Sequence, residues 1–232
     1  MTPAGNARVA DTEGTYRMDA ETALTTTRTV RRRLDLERPV DRSVVEDCVR
    51  IATQAPSGGN RTAYRFVIVD DPQQRQAMGD LYRRAFEVYR QGPTVVTKAF
   101  PDDSEKTKAQ ERIFTSVEHL AMHLHEVPML VVPCMTGRCE ERTTARSQAG
   151  FWGSVVPTVW SFMLAARTRG LGTAYTTMHL EFEQEAAEIL EVPYDEVTQV
   201  CLLPLAHTLG TDFSPATRPP ASEFIAWNRW SH

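Results

Sequence analysis

Residues 147–166, SQAGFWGSVVPTVWSFMLAA, form the longest uncharged stretch of the chain, between Arg146 and Arg167. About 20 residues is the length that a helix needs to cross a bilayer. A helix that is apolar on nearly all sides is otherwise buried, either centrally in a domain or against a partner subunit. We predict a buried helix and no membrane span, because the stretch is too polar for a transmembrane helix. The residues that make it so are Ser147, Gln148, Ser154, Pro157, Thr158 and Ser161.

The sequence around this helix alternates between helical and extended patterns. Strands interrupted by long helices favour one mixed α+β domain over residues 19–232, after a polar, flexible leader at 1–18. Residues 210–220 contain three prolines and are not expected to be helical. The predicted helices are 41–54, 71–89, 105–125 and 182–190, and the predicted strands are 65–69, 128–132, 173–177 and 197–206.

Composition and charge narrow the possible functions. With Lys+Arg 26 against Asp+Glu 30, the chain has a net charge of -4, which disfavours nucleic acid as a partner. The leader lacks the apolar segment of a secretion signal and the four cysteines are scattered, so the cytoplasm is expected. His119 and His123 lie four residues apart, but no third ligand accompanies them. We therefore expect no metal site.

Common nucleotide and hydrolase motifs are absent. No G-x-G-x-x-G follows a predicted strand, and Gly170-Leu-Gly172 closes a helix and lacks the third glycine. A Rossmann domain is therefore disfavoured. Neither G-x-x-x-x-G-K-[ST] nor G-x-S-x-G occurs.

Three separated motifs remain, each with a structural and a functional interpretation. Arg28-Thr-Val-Arg-Arg-Arg33, at the end of a predicted helix, is either a solvated basic turn or a cradle for an anion. Ala55-Pro-Ser-Gly-Gly-Asn60 is either an ordinary turn or a loop that lets a planar ring approach the backbone. The third motif comprises residues 169–178 and, later in the chain, Arg218. A helix-to-strand turn would explain its glycines without any ligand, and Arg218 would then be a charge at the edge of the protein surface.

Taken in order, these motifs resemble those of the FMN-dependent nitroreductase family, and the resemblance runs from about residue 25 to 230. Arg28-Thr-Val-Arg31 is similar to the family's R-[ST]-V-R, and Ala55–Asn60 to its A-P-S-x-x-N before a strand. Gly170–Gly172 is similar to the G-L-G that ends a long apolar helix. Arg218-Pro219 matches the final arginine before a proline-containing tail.

The resemblance implies an α+β nitroreductase-like fold, with a mixed, antiparallel-rich central sheet surrounded by helices. It implies a homodimer with exchanged C-terminal arms at about 210–232 and one FMN at each subunit junction. The arm contains Phe224, Trp227 and Trp230. The helix at 147–166 would lie in the dimer core.

The resemblance also implies roles for individual residues. Arg28, Thr29 and Arg218 contact the FMN phosphate. Arg31 stabilises the negative charge of the reduced flavin at N1–O2, because a cation there favours the anion, and Arg32 shares one of these tasks.

The flavin ring is held by two further groups. Pro56, Ser57, Gly58 and Asn60 line it from the partner subunit, while Tyr175, Thr176 and Thr177 follow its edge. Thr177 donates near N5, so Arg31 and Thr177 are the implied catalytic residues.

Three departures from the family pattern stand out. Thr27 replaces a frequent basic residue, and Ala216 and Thr217 stand where many members have a second one. Phosphate binding is therefore either weaker or compensated by Arg32 and Arg33. The loop continues with Arg61-Thr-Ala-Tyr64 instead of Gln-Pro-Trp.

The implied activity is the reduction of a nitroaromatic or quinone-like compound by ping-pong hydride transfer, with NADPH or NADH as donor. One alternative keeps the fold and FMN but changes the reaction to dehalogenation, enone reduction or flavin breakdown. Another is a non-catalytic FMN-storing protein.

The segment 82–114 forms either a lid or ordinary core through Tyr82, Phe86, Tyr89, Phe100 and Phe114. Its neighbours Lys98, Lys106 and Lys108 either meet an NADPH 2′-phosphate or belong to a solvated loop.

Overall fold

Strand β2 (Met129–Thr136) lies at the centre of the sheet and is buried along nearly its whole length. Leu130 and Val132 face one hydrophobic core, and Met129 and Val131 face the other. A strand covered on both faces is apolar without alternation, which is why residues 128–135 contain no polar side chain. The predicted strand is confirmed and extends further toward its C-terminus than expected.

The computed structural model describes residues 18–99 and 104–230. The predicted leader therefore lies almost entirely outside the described residues, as does Phe100. The helices are α1 (Ala20–Thr26), α2 (Arg42–Ala52), α3 (Pro72–Gln91), α4 (Ser104–His123), α5 (Ala145–Arg167) and α6 (Glu183–Ile189), and the other strands are β1 (Tyr64–Val69), β3 (Leu171–Thr173), β4 (Val197–Gln199) and β5 (Leu203–His207).

All strand pairings in the described part of the chain are antiparallel, in the order β1-β2-β5-β3, with β4 also paired to β2. Helices α3 and α4 contribute to one core and α2 and α5 to the other. The predicted α+β architecture is therefore confirmed. The single strand predicted at 197–206 is wrong, because it is divided into β4 and β5. The pairing on β2 changes register by one residue between Gln199, opposite Cys134, and Leu203, opposite Val131.

Helix α5 is buried along one face only. Phe151, Val155, Val159 and Phe162 lie in the core shared with α2, whereas Trp160 on the other side is 42% exposed. Among the described residues α5 alone is long and apolar enough to cross a membrane, with mean hydropathy 1.3. Half of that apolar window is buried inside the chain, and core helices share this length and composition. The sequence prediction of a buried helix is confirmed for the core face.

The glycine motif after α5 begins in a turn at Gly170 and continues into a strand, which starts earlier than predicted. We expected the extended segment at 173–177, but β3 spans Leu171–Thr173. Gly170 has φ +74°, a conformation that L-residues with side chains rarely adopt, and makes the turn. At Gly172 a Cβ would lie 2.7 Å from the Thr208 Cγ2 and 3.1 Å from the Val30 Cβ, so glycine permits Val30 to pack closely on β3.

The C-terminal segment is anchored at its base and exposed beyond it. Arg33 pairs with Asp212 at 2.6 Å and lies over the Phe213 ring at 4.3 Å. Residues 210–220 contain no helix, as predicted, and one 3-10 turn follows at Ala221–Phe224. Trp227 is 81% exposed in the single chain.

His179 is a fully buried titratable side chain, and neither ring nitrogen has a hydrogen-bond partner in the described structure. Burial lowers its pKa to about 3, since the charged imidazolium is poorly solvated there. The unfolded chain, with an ordinary histidine pKa near 6.5, binds this proton more readily than the folded one. Folding is therefore weakened as pH falls below about 6.5.

We expect His179→Leu to remove this acid sensitivity. When the pH falls from 6.5 to 5.0, the unfolding free energy of the wild type should decrease by roughly 2 kcal/mol more than that of the variant. Urea unfolding at both pH values measures the difference. Equal slopes in wild type and His179→Leu would contradict the prediction.

Candidate functional site

The arginine motif lies alongside the sheet. Helix α1 ends at Thr26, so the motif follows the helix and does not end it as predicted. The Val30 N–H donates to the Thr173 carbonyl at 2.8 Å, and the Asp35 N–H donates to the His207 carbonyl at 2.8 Å. These bonds fix residues 28–35 beside β3 and β5. Arg31 is thereby brought next to the residues that follow β3.

A cavity of about 790 Å³, here called the arginine cavity, is lined by Arg28, Arg31, Arg112 and Arg218. Among the described residues that line it there is no aspartate or glutamate. Thr29 and Tyr175, both implied by the sequence, also lie in its wall. The remaining lining residues are Thr27, Ala109, Ile113, Ser116, Trp160, Met163 and Ala216.

The four guanidinium groups of this cavity have no ion-pair partner within residues 18–99 and 104–230. Some arginines elsewhere in that part of the chain do, as Arg42 does with Asp70 at 2.6 Å and Arg84 with Glu185. Like charges gathered without counter-charges repel one another, so the cavity favours an anionic ligand. The positive charge is local, because the chain as a whole carries -4.

Arg31 joins this cavity to a second one of about 500 Å³, here called the aromatic cavity. Its guanidinium donates to the Ser116 hydroxyl on α4 at 3.1 Å. Burial lowers the Arg31 pKa, while Tyr82 and Tyr89 act in the opposite direction. An arginine stays charged at neutral pH even so. A fixed cation therefore stands between the two cavities.

The aromatic cavity is lined by the residues that follow β3, among them Tyr175, Thr176 and Thr177. Tyr175 is 38% exposed, yet burial raises its pKa to about 12. Both hold if the ring faces the cavities while the hydroxyl lies against the buried Cys201 thiol, which also contributes to the shift. The other lining residues include Tyr82, Ala85, Val88, Tyr89, Val117, Met178 and Glu181.

Hydrogen bonds hold Thr176 and leave Thr177 available. The Thr176 hydroxyl and the Tyr82 hydroxyl are 2.9 Å apart, and the Thr176 backbone pairs with Leu202. The Thr177 carbonyl accepts from the Leu180 N–H at 3.0 Å. The Thr177 N–H and hydroxyl have no partner among the described residues. Thr177 can thus donate a hydrogen bond to a molecule in the aromatic cavity.

Five residues implied by the resemblance lie outside both cavities. Arg32 is exposed, and it contributes, after burial and His123, to lowering the His119 pKa. The loop at 55–60 lies against α5, where the Gly58 N–H donates to the Ser154 hydroxyl at 3.0 Å. This placement is compatible with a role toward a partner subunit. The loop residues concerned are Pro56, Ser57, Gly58 and Asn60.

Arg112 is the site residue that sequence reasoning missed. It lines the arginine cavity from α4, together with Ala109, Ile113 and Ser116. These positions follow helical i, i+3, i+4, i+7 spacing and share one face. This spacing can be read from the sequence, but the sequence does not indicate which part of the protein that face of α4 contacts.

The segment at 82–114 divides between core and cavity wall. Tyr82 and Phe86 are 1% and 0% exposed, as the core interpretation required. The Tyr89 hydroxyl accepts from the Val96 N–H at 2.8 Å, and residues 92–94 line the aromatic cavity. Lys98 donates to the Gly92 carbonyl at 3.2 Å.

The histidine and cysteine side chains are used structurally. The His119 and His123 rings lie with centroids 4.5 Å apart, and His123 Nδ1 is 2.9 Å from Glu126 Oε1. The described residues contain no group of three or more His, Cys, Asp or Glu side chains that could hold a metal ion. All four cysteines are free thiols.

The chain belongs to the nitroreductase family, whose model matches residues 24–207. It is similar to the FMN- and NADPH-dependent nitroreductase NfnB from Sphigopyxis sp. strain HMH, with TM-score 0.68 and 20% identity over 92% of this chain and 100% of that one. Iodotyrosine deiodinase bound to FMN and 3-iodo-L-tyrosine gives TM-score 0.63 and 18% identity, covering 90% and 99%.

A BluB-like flavoprotein from Clostridium difficile 630 gives TM-score 0.66 and 15% identity, covering 91% and 100%. At these identities the likeness establishes the fold. Comparison with curated protein sequences finds no match.

We expect Tyr82→Phe to destabilise the protein by about 1 kcal/mol, because the hydrogen bond between the Tyr82 and Thr176 hydroxyls is lost. Urea unfolding at neutral pH measures the loss. Tyr194→Phe is the control, since the Tyr194 hydroxyl makes no hydrogen bond to another described residue. Equal unfolding midpoints for both variants would show that the buried bond contributes nothing.

Proposed function

We propose that this protein is an FMN-dependent NAD(P)H oxidoreductase that reduces nitroaromatic or quinone-like compounds and acts as a homodimer. One observation carries the proposal: a cavity whose described lining includes four arginines and no carboxylate adjoins an aromatic cavity, and Arg31 and Tyr175 line both. A ligand with an anionic end and a planar aromatic end fits this pair. FMN is such a molecule.

Family membership and the named relatives support the cofactor. NfnB is described as FMN- and NADPH-dependent, and the deiodinase is bound to FMN. In this chain Arg28, Thr29 and Arg218 would hold the phosphate, because forked guanidinium groups and a hydroxyl suit phosphate oxygens. The four free thiols are compatible with the reducing cytoplasm.

FMN, when bound, supplies a hydride carrier between a nicotinamide and an electron-poor acceptor. Arg31 contributes a fixed positive charge, which favours an anion beside it without reorganisation. Thr177 contributes hydrogen-bond donors, and Tyr175 an aromatic surface. The apolar side chains Ala85 and Val117, both buried, form part of the wall of the aromatic cavity.

The homodimer is supported by apolar surface that the single chain leaves exposed. Val156 and Trp160 on α5 are 38% and 42% exposed, and Phe224 and Trp227 on the C-terminal segment are 71% and 81% exposed. Clustered exposed apolar residues mark interaction surfaces. Residues 210–232 are proposed as the arm that a partner subunit binds, and Pro56, Ser57, Gly58 and Asn60 as the partner's contribution to the flavin site.

The purified protein tests the reaction class directly. Its visible spectrum is recorded, and NADPH or NADH is added anaerobically, followed by a nitroaromatic compound. We expect flavin bands that bleach with the nicotinamide and return with the acceptor, and the faster donor is the preferred one. A protein that takes up no FMN contradicts the proposal.

The same assay separates the rival functions. If the nicotinamide bleaches the flavin but only a haloaromatic compound or an enone reoxidises it, the protein uses FMN for dehalogenation or enone reduction. Turnover that consumes the flavin itself in the presence of oxygen indicates flavin breakdown. Flavin that neither nicotinamide reduces indicates FMN storage.

We expect two arginine substitutions to separate binding from reduction. Arg31→Ala should slow flavin reduction roughly 100-fold, since a preorganised charge is lost, with a smaller effect on the FMN Kd. Arg218→Ala should do the reverse and raise the FMN Kd about tenfold, the equivalent of one charged hydrogen bond. Stopped-flow reduction and fluorescence titration measure the two effects. Loss of FMN affinity alone in both variants would refute the division.

A further inference from the structure

We propose that Arg112 is a phosphate-binding residue for FMN, contributed by α4 from outside the sequence motifs. The inference rests on the proposed function and names one more residue of the same site. Arg112 lines the arginine cavity together with Arg28 and Arg218.

The position of Arg112 is set by a neighbouring hydrogen bond. Ser116, one helical turn further along α4, accepts from the Arg31 guanidinium at 3.1 Å. Residues four apart lie on the same helix face, so this bond holds the turn that carries Arg112 against the arginine motif. The contact is between two elements that the sequence alone does not connect.

The charges around Arg112 favour an anion. The acidic Glu105 on the same helix pairs with Lys108 at 3.2 Å. Arg112 has no carboxylate within ion-pair distance in the described part of the chain, and it shares a cavity with three further arginines. Their repulsion is relieved when a phosphate with charge near −2 binds among them.

Arg112 supplies a positive charge where the chain lacks basic residues at positions 27 and 216. The Thr27 hydroxyl donates to the Ala23 carbonyl of its own helix, and Ala216 has no charge to contribute. Arg33 is engaged with Asp212 at 2.6 Å, and Arg32 lies outside the cavity. Of the replacements available, Arg112 is the one whose side chain lines the cavity.

Riboflavin, which lacks the phosphate, provides the decisive comparison. Fluorescence titration gives the Kd of FMN and of riboflavin for the wild type, Arg112→Ala, Arg112→Lys and Arg90→Ala. Arg90 is an exposed arginine on α3 that pairs with Glu87 and lines neither cavity. It is the matched control for the loss of one positive charge.

We expect Arg112→Ala to raise the FMN Kd about tenfold while leaving the riboflavin Kd unchanged, with Arg112→Lys in between and Arg90→Ala equal to wild type. The salt dependence of FMN binding should also become shallower in Arg112→Ala. An unchanged FMN Kd, or an equal loss for both flavins, overturns the inference and leaves the proposed function intact. A wild type that binds neither flavin refutes the proposed function itself.

Discussion

The site depends on one close contact, where Val30 packs on Gly172 of β3. Val30 donates to the Thr173 carbonyl at 2.8 Å, and any side chain at position 172 would meet the Val30 Cβ. Two segments that are remote in sequence are thereby fixed side by side, and Arg31 comes to lie next to Tyr175. The two cavities share these residues because of this contact.

The distribution of charge follows from the same arrangement. Arg33, Arg42 and Arg84 pair with carboxylates at the surface, and such exposed pairs contribute little to stability. The arginine cavity keeps its guanidinium groups without such partners, and its repulsion is a cost of the folded state. An anionic ligand is therefore expected to stabilise this protein, because a ligand that binds only the folded state shifts the folding equilibrium toward it.

Much of the fold could be predicted because local patterns determine it. The apolar run of β2 and the uncharged stretch of α5 are patterns of burial, and both elements formed where expected. β3 was misplaced because Gly172 serves a tertiary contact, which no local pattern encodes. Arg112 was missed for a similar reason: an arginine on an amphipathic helix normally faces water, and only the docking of α4 on Arg31 gives it another role.

None of the four tryptophans is among the buried residues of either core. Trp152 and Trp160 lie on α5, and Trp227 and Trp230 lie on the C-terminal segment. Trp152 packs against the core shared by α2 and α5, and Trp160 lines the arginine cavity. Intrinsic fluorescence of this protein therefore combines signals from one core, from the arginine cavity and from the C-terminal segment, whereas circular dichroism follows the helices. Agreement between the two signals is needed before unfolding is treated as two-state.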